Sequence, residues 1–179
     1  MLKQILTAIL ASLGFASISL AGTQFTIGES SITAPDGWRE IKREEQRVTL
    51  RSADDRQQAT VSLMQFGTAP SFDEFKRLCA LRYKAEKSDA PDAFMEPEAP
   101  APFEKEGRYG LFFSGGEKKS GRIFSGYISL VNKELITIYL EAAGVAPKEH
   151  LASFEAFVSS LKRNAKQQPK PTQMDDNFQ

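Results

Sequence analysis

Residues 122–142 read RIFSGYISLVNKELITIYLEA, and the alternation in this stretch decides the fold. Every second side chain of a strand points to the same face, so the two apolar runs 122–131 and 135–142 form a hairpin around a polar turn. With a three-residue loop at Asn132, Lys133 and Glu134, the side chains of Phe124, Ile128 and Leu130 share a face with Ile136, Ile138 and Leu140. Tyr127 then stands opposite Tyr139. A two-residue loop would mix the first set with Thr137 and Glu141, because a slip of one residue exchanges faces; the three-residue register is therefore the expectation. The other face then carries Ile123, Tyr127, Val131, Leu135 and Tyr139, so both sides of the sheet are largely apolar and both need cover.

Two helices are available to supply it. Ser71 followed by Glu74 is a capping box, and Phe72, Phe75, Leu78, Cys79 and Tyr83 recur at helical spacing after it. The second helix is expected over about 148–163, with Leu151, Phe154, Val158 and Leu161 on one face, Pro147 in its first turn, and Lys162 and Arg163 complementing its C-terminal dipole. Upstream, short strands at 25–27, 32–34, 38–41, 48–52 and 60–66 read as an antiparallel meander, punctuated by the turn of Pro35, Asp36 and Gly37. A weaker strand is expected at 109–114. Residues 89–102 hold Pro91, Pro97, Pro100 and Pro102 and show no apolar period, which reads as an extended loop or an irregular edge. The fold class that follows is α+β: an antiparallel sheet with one helix on each face, an α/β/α sandwich.

The chain begins with Lys3 and an apolar run to Leu20, closing on Ser19, Leu20 and Ala21, the pattern of a cleaved signal peptide. A bilayer-spanning anchor needs about 20 apolar residues, and this run is shorter and interrupted. Residues 1–21 are thus expected to be removed, leaving Gly22 as the N-terminus, with no stable membrane insertion and a periplasmic or other envelope location. Residues 22–164 form one domain, and the polar 165–179, with Pro169 and Pro171, form a disordered tail. The 23 basic and 23 acidic residues balance, which argues against a nucleic-acid partner, since such partners select a basic excess. A single cysteine cannot staple the domain, so packing must hold it; Cys79, on the apolar face of the first helix, reads as a small buried hydrophobe.

Chemistry-bearing patterns are sparse. His150 and Cys79 each stand alone, whereas metal sites need several converging ligands, so no metal and no cofactor is expected. No serine sits in the Gly-x-Ser-x-Gly frame of an α/β hydrolase; a serine paired with His150 stays open, although an exposed or capping role at the helix start is the stronger reading of that histidine. The acidic pairs Glu44 and Glu45, Asp54 and Asp55, and Asp175 and Asp176 fall in expected turns or in the tail. The segment 115–121, GGEKKSG, lacks the order of a phosphate-binding loop and reads as a flexible hairpin tip. Its Lys118 and Lys119, with the adjacent Arg122, are the candidate contacts for an acidic partner. Trp38, after its turn, is a fourth candidate as an exposed anchor, with core packing the competing reading.

The order of short strands, helix, strong hairpin and closing helix, opening with Ile32, Thr33, Ala34, Pro35, Asp36, Gly37 and Trp38, resembles the PsbP-like and DcrB-like group of envelope accessory proteins over about 25–163. That resemblance implies an α/β/α fold used as a binding or accessory module with no chemistry of its own, not an enzyme. Related bacterial domains also look like those used as chaperones or partners in type VI secretion, and this resemblance implies an immunity protein or inhibitor of a secreted toxin as a narrower variant; a carrier of a small apolar ligand between sheet and helix is the other alternative. Metal sites of photosynthetic members do not carry over to a chain with one histidine and no matching cluster.

Overall fold

The computed structural model describes residues 22–89, 92–99, 101–105 and 107–163; the expected leader (1–21) and tail (165–179) lie outside them. The first strands are β1 (Gln24–Ile27), β2 (Ser30–Thr33), β3 (Arg39–Glu44), β4 (Arg47–Arg51) and β5 (Gln57–Gln65). Helix α1 (Phe72–Asp89) leads to β6 (Ala93–Glu96), β7 (Phe103–Lys105) and β8 (Arg108–Glu117). The hairpin β9 (Arg122–Val131) and β10 (Glu134–Ala143) is followed by α2 (Pro147–Ser160) and β11 (Lys162–Arg163). The main sheet has the order β3-β4-β5-β10-β9-β8-β6, with β7 also on β8, and all its pairings are antiparallel. The upstream strands do not form one meander: β1 and β2 leave the main sheet and pair with β11 in a second, three-stranded sheet.

One helix covers each face. On one side Phe154 and Phe157 of α2 pack with Val48, Leu50, Val61, Ile136, Ile138 and Leu140; on the other Phe75 and Cys79 of α1 pack with Leu111, Phe113, Phe124, Ile128 and Leu130. The expected capping box starts α1, with Ser71 N–H donating to Glu74 Oε2 at 2.7 Å and Glu74 N–H donating to Ser71 Oγ at 3.3 Å.

The hairpin register differs from the expectation. Only Asn132 and Lys133 form the turn, with Asn132 in the left-handed region at φ 54°, so Glu134 pairs with Val131 and Tyr127 stands opposite Ile138 rather than Tyr139. The physical reason is size complementarity. Ser125 and Ser129 lie beside Leu140 and Ile136 under α2, while Gly126 lies beside Tyr139 and Thr137 beside Ile128 on the α1 face. A strand buried on both sides cannot be registered by matching large residues alone, because each face alternates large against small. Gly126 shows this directly: a Cβ there would occupy the space of the Phe113 ring.

Further corrections follow from how α2 sits. Its buried line is His150, Phe154 and Phe157, rotated from the expected one, with Leu151 and Val158 only half-buried. The helix ends at Ser160 because Leu161 turns extended, so Lys162 and Arg163 enter β11 instead of the last helical turn. There Arg163 donates to Ser129 O at 3.0 Å and Glu134 O at 3.3 Å, closing the chain onto the main sheet. Residues 115–117 belong to β8, which leaves 118–121 as the tip, and β6 lies inside the proline-rich stretch as a short edge strand paired with β8.

Candidate functional site

The helix-free part of the main sheet is set by a connection. Strand β5 is followed by α1 and then by β6, yet β10, β9 and β8 lie between β5 and β6 in the sheet. Helix α1 is therefore a crossover above those three strands, and the same face of β4 and β5 lies outside its path. Alternation then decides what that face carries. In β4, Val48 and Leu50 point to the α2 core, which sends Arg47, Thr49 and Arg51 the other way. In β5 the inward set is Ala59, Val61 and Leu63, and the outward set is Gln58, Thr60, Ser62 and Met64.

Between this bank and α1 runs a groove of about 690 Å³. Thr60, Ser62 and Met64 of β5 and Thr137 of β10 line its floor, Leu78 and Arg82 of α1 stand on one side, and Arg47 of β4 stands on the other. Met64 is 51% exposed despite its apolar side chain, and Arg82 places its guanidinium 5.8 Å from the Tyr139 ring centroid. One end of the groove is closed by a polar row across the sheet: Arg51 donates to Gln58 Oε1 at 3.1 Å, Gln58 to Glu141 Oε1 at 3.2 Å, and Arg122 to Glu141 Oε2 at 2.7 Å and Glu117 Oε1 at 2.5 Å. Burial works to lower the Arg122 pKa but is outweighed by its bond to Glu141, by Tyr139 and by its bond to Glu117, so the value is raised. Glu117 is in turn held below the usual carboxylate range by hydrogen bonds from Ser120 and Arg122.

The candidate contacts fall in different places. Lys118 and Lys119 are exposed in the β8–β9 turn. Arg122 is half-buried in the polar row, beside a second depression of about 410 Å³ that also takes in Ser120, Arg51 and Arg56. The turn, the row and the groove thus share one face of the molecule. Trp38 does not join them: it is 7% exposed and meets the Phe157 ring edge-on at 4.9 Å, which makes it a core residue and removes it as an exposed anchor. The groove residues Arg47, Thr60, Ser62 and Thr137 escaped the sequence reading; their signal was the alternation in RVTLR and QQATVSLMQ.

His150 is not exposed and does not cap its helix through its side chain. It is 3% exposed, with Nε2 3.0 Å from Ser125 Oγ, itself 1% exposed. Nδ1 is buried without a hydrogen-bond partner, and burial pushes the imidazole pKa down to about 4. A serine–histidine pair invites a catalytic reading, yet a nucleophile must meet its substrate and its base needs an orienting group. Here α2 seals the serine, and Nδ1 has no carboxylate on it. The pair is a tether between β9 and the first turn of α2. Cys79 is fully buried and its thiol is pushed up to about 12 by burial, so it holds its proton. Among the described residues no three His, Cys, Asp or Glu converge as a metal site, and no helix is long and apolar enough to cross a membrane.

No family model and no curated protein matches the chain. Solved structures do. Cyanobacterial PsbP (CyanoP) from Synechocystis sp. PCC 6803 is similar at 16% identity and a TM-score of 0.55, over 84% of this chain and 98% of that one. LpqN of Mycobacterium tuberculosis, described as involved in cell envelope biogenesis, is similar at 9% identity and a TM-score of 0.50, over 80% and 86%. A protein of Bacteroides thetaiotaomicron VPI-5482 aligns at 14% identity and a TM-score of 0.47 over 82% of this chain, which spans 50% of that protein. The first two likenesses show the fold: this chain is an α+β sandwich of the PsbP-like kind.

Proposed function

We propose that the chain is exported through a leader at 1–21 and works in the periplasm as a non-enzymatic accessory module, acting through an envelope protein that docks on the helix-free half of the sheet. The observation that carries this reading is the groove itself: an open strip of hydroxyl side chains with a guanidinium on each wall and an exposed Met64. Such a mixture suits a polypeptide, which brings both polar backbone and apolar side chains. A small apolar ligand would leave the floor hydroxyls unpaired, so the carrier alternative has less support. LpqN, which shares the fold, is involved in cell envelope biogenesis, which agrees with an envelope role.

The test is crosslinking in the living cell. A photoreactive residue at Ser62 should capture one envelope protein in the exported fraction, while the same residue at Lys162, on the second sheet, should not. No adduct at Ser62, Thr137 or Lys118 would defeat the reading. If the captured protein is a secreted toxic enzyme, the narrower immunity or inhibitor role follows, and deletion of this chain should then sensitise the cell to that enzyme.

A further inference from the structure

We infer that residues 147–153, the first two turns of α2, open as a unit while Phe154 and Phe157 stay seated, uncovering part of the sheet without unfolding the domain. This device is independent of the docking groove, because α2 covers the opposite face. Apolar anchorage is the first argument. Val145 before the helix and Phe154 and Phe157 in its later turns are buried, whereas within 146–153 the one buried side chain is that of His150. Lys148, Glu149 and Ala152 are exposed, and Leu151 and Ser153 are half-buried. A helix is held on a sheet mainly by the apolar side chains it buries, and this stretch buries few. Its start adds no tie, since Ala146 at the N-cap makes no side-chain hydrogen bond.

Polar burial is the second argument. Two hydrogen bonds tie the inner side of the stretch to the sheet, His150 Nε2 with Ser125 Oγ at 3.0 Å and Gln57 Nε2 donating to Ser153 Oγ at 3.3 Å. Each side chain leaves a buried atom unpaired, Nδ1 of His150 and Oε1 of Gln57, and so does Ser114, through its Oγ, on the residue paired with Ser125 across the strands. Such atoms lose water on closure without regaining a hydrogen bond, so opening relieves this end of α2. The outer tie, Arg56 to Glu149 at 3.5 Å, is an exposed ion pair and holds weakly.

Acid drives the opening. On the face under α2, β5 and β10 carry no titratable side chain, while Tyr127 of β9 and Arg108 of β8 lie further along these strands from Ser125 and Ser114. Lys148, Glu149, Asp54 and Arg56 are exposed around the helix start. The low pKa of the ring, about 4 against 6.5, comes from burial alone. Hydration on opening restores the ordinary value, which makes the open form about twentyfold more frequent at pH 5 than at pH 7, with the closed form still in the majority.

The experiment is native-state hydrogen exchange read by NMR on ¹⁵N-labelled residues 22–179. After correction for intrinsic rates, the amides of Leu151, Ala152 and Ser153 should be at least about a hundredfold less protected at pH 7 than those of Ile138, Leu140 and Val158. They should keep that protection in dilute urea that erodes the others, because a local opening exposes little surface, and lose about twentyfold of it by pH 5. In His150→Gln, which does not titrate, the acid loss should vanish. Protection at 151–153 equal to that of Val158 at both pH values would mean that the stretch opens only with the whole domain. A gap unchanged by acid would mean fraying that leaves His150 in place, and an acid loss persisting in the variant would place the trigger elsewhere; any of the three overturns the inference.

Discussion

Lowering the pH from about 7 to about 5 should cost this fold about 2 kcal/mol through one side chain, His150. Its ring is 3% exposed and bonded through Nε2 to Ser125. Protonation would add an N–H at Nδ1, where no acceptor waits, at the start of a helix whose free N–H groups already make that end positive. Burial accordingly lowers the pKa from 6.5 to about 4. In that window the unfolded chain binds the proton and the folded chain does not, so stability rises with pH through it, and acidification removes stability from about 6.5 downward until it levels off near 4. The whole window is worth about 3 kcal/mol, of which about 2 has gone by pH 5. Carboxylates held low in the folded state act at lower pH. Asp54, bonded first by Ser52 and then by Arg56, sits at about 2 against an ordinary 3.8, so its contribution is lost only below about pH 4. Urea unfolding of the wild type and of His150→Gln at several pH values between 7 and 5 isolates the histidine, since the glutamine amide reaches the Nε2 position and does not titrate. The wild type should lose about 2 kcal/mol at constant m-value while the variant stays nearly flat. Parallel curves for the two proteins would refute the argument.

Other consequences can be checked with single changes. Phe157→Ala removes a fully buried ring that packs on Trp38 and should cost about 3–5 kcal/mol by denaturant unfolding; Phe154→Ala should fall in the same range. Gly126→Ala drives a methyl into the Phe113 ring and should cost about 1–3 kcal/mol, with Tyr127→Ala, by contrast, causing no such overlap. Ser71→Ala breaks the capping box of α1 and should cost about 1 kcal/mol, with amide exchange accelerated in the first turn of that helix and not in α2. Reversing Lys118 and Lys119 to glutamate should slow association with the captured partner and flatten its salt dependence without moving the unfolding midpoint, since these side chains are exposed in a turn.

How much was legible in the sequence follows from how local each signal is. The capping box of Ser71 and Glu74, the periodic Phe75 and Cys79, and the turn before Trp38 rest on residues within a few positions of one another, and the structure reproduces them. The hairpin register rests on what lies above each face. Ser125 and Ser129 look like surface residues, yet both are buried, at 1% and 3% exposure, and Ser125 meets a histidine of α2. Their burial could not be read before the position of α2 was known. The same dependence hid Phe157, whose burial requires the second sheet of β1, β2 and β11 to stand beside α2.

The groove has the same origin, and this ties the polarity of β4 and β5 to their use. In a sheet of this order the chain must carry α1 from β5 over three strands to reach β6, and at about 4.8 Å per strand that crossing fills the space above β10, β9 and β8. An apolar surface on β4 and β5 would then stand exposed beside the helix with nothing among the described residues to cover it. Threonine, serine, glutamine and arginine at 47, 49, 51, 58, 60 and 62 keep this strip soluble, but solubility alone does not call for Met64 at 51% exposure on the same strip. Thr49→Val with Thr60→Val separates the two demands. If the hydroxyls serve only to keep the strip solvated, the pair of changes should leave partner capture at Ser62 intact while solubility falls; if they are docking contacts, capture should fall by about tenfold or more, with the unfolding midpoint unchanged or raised.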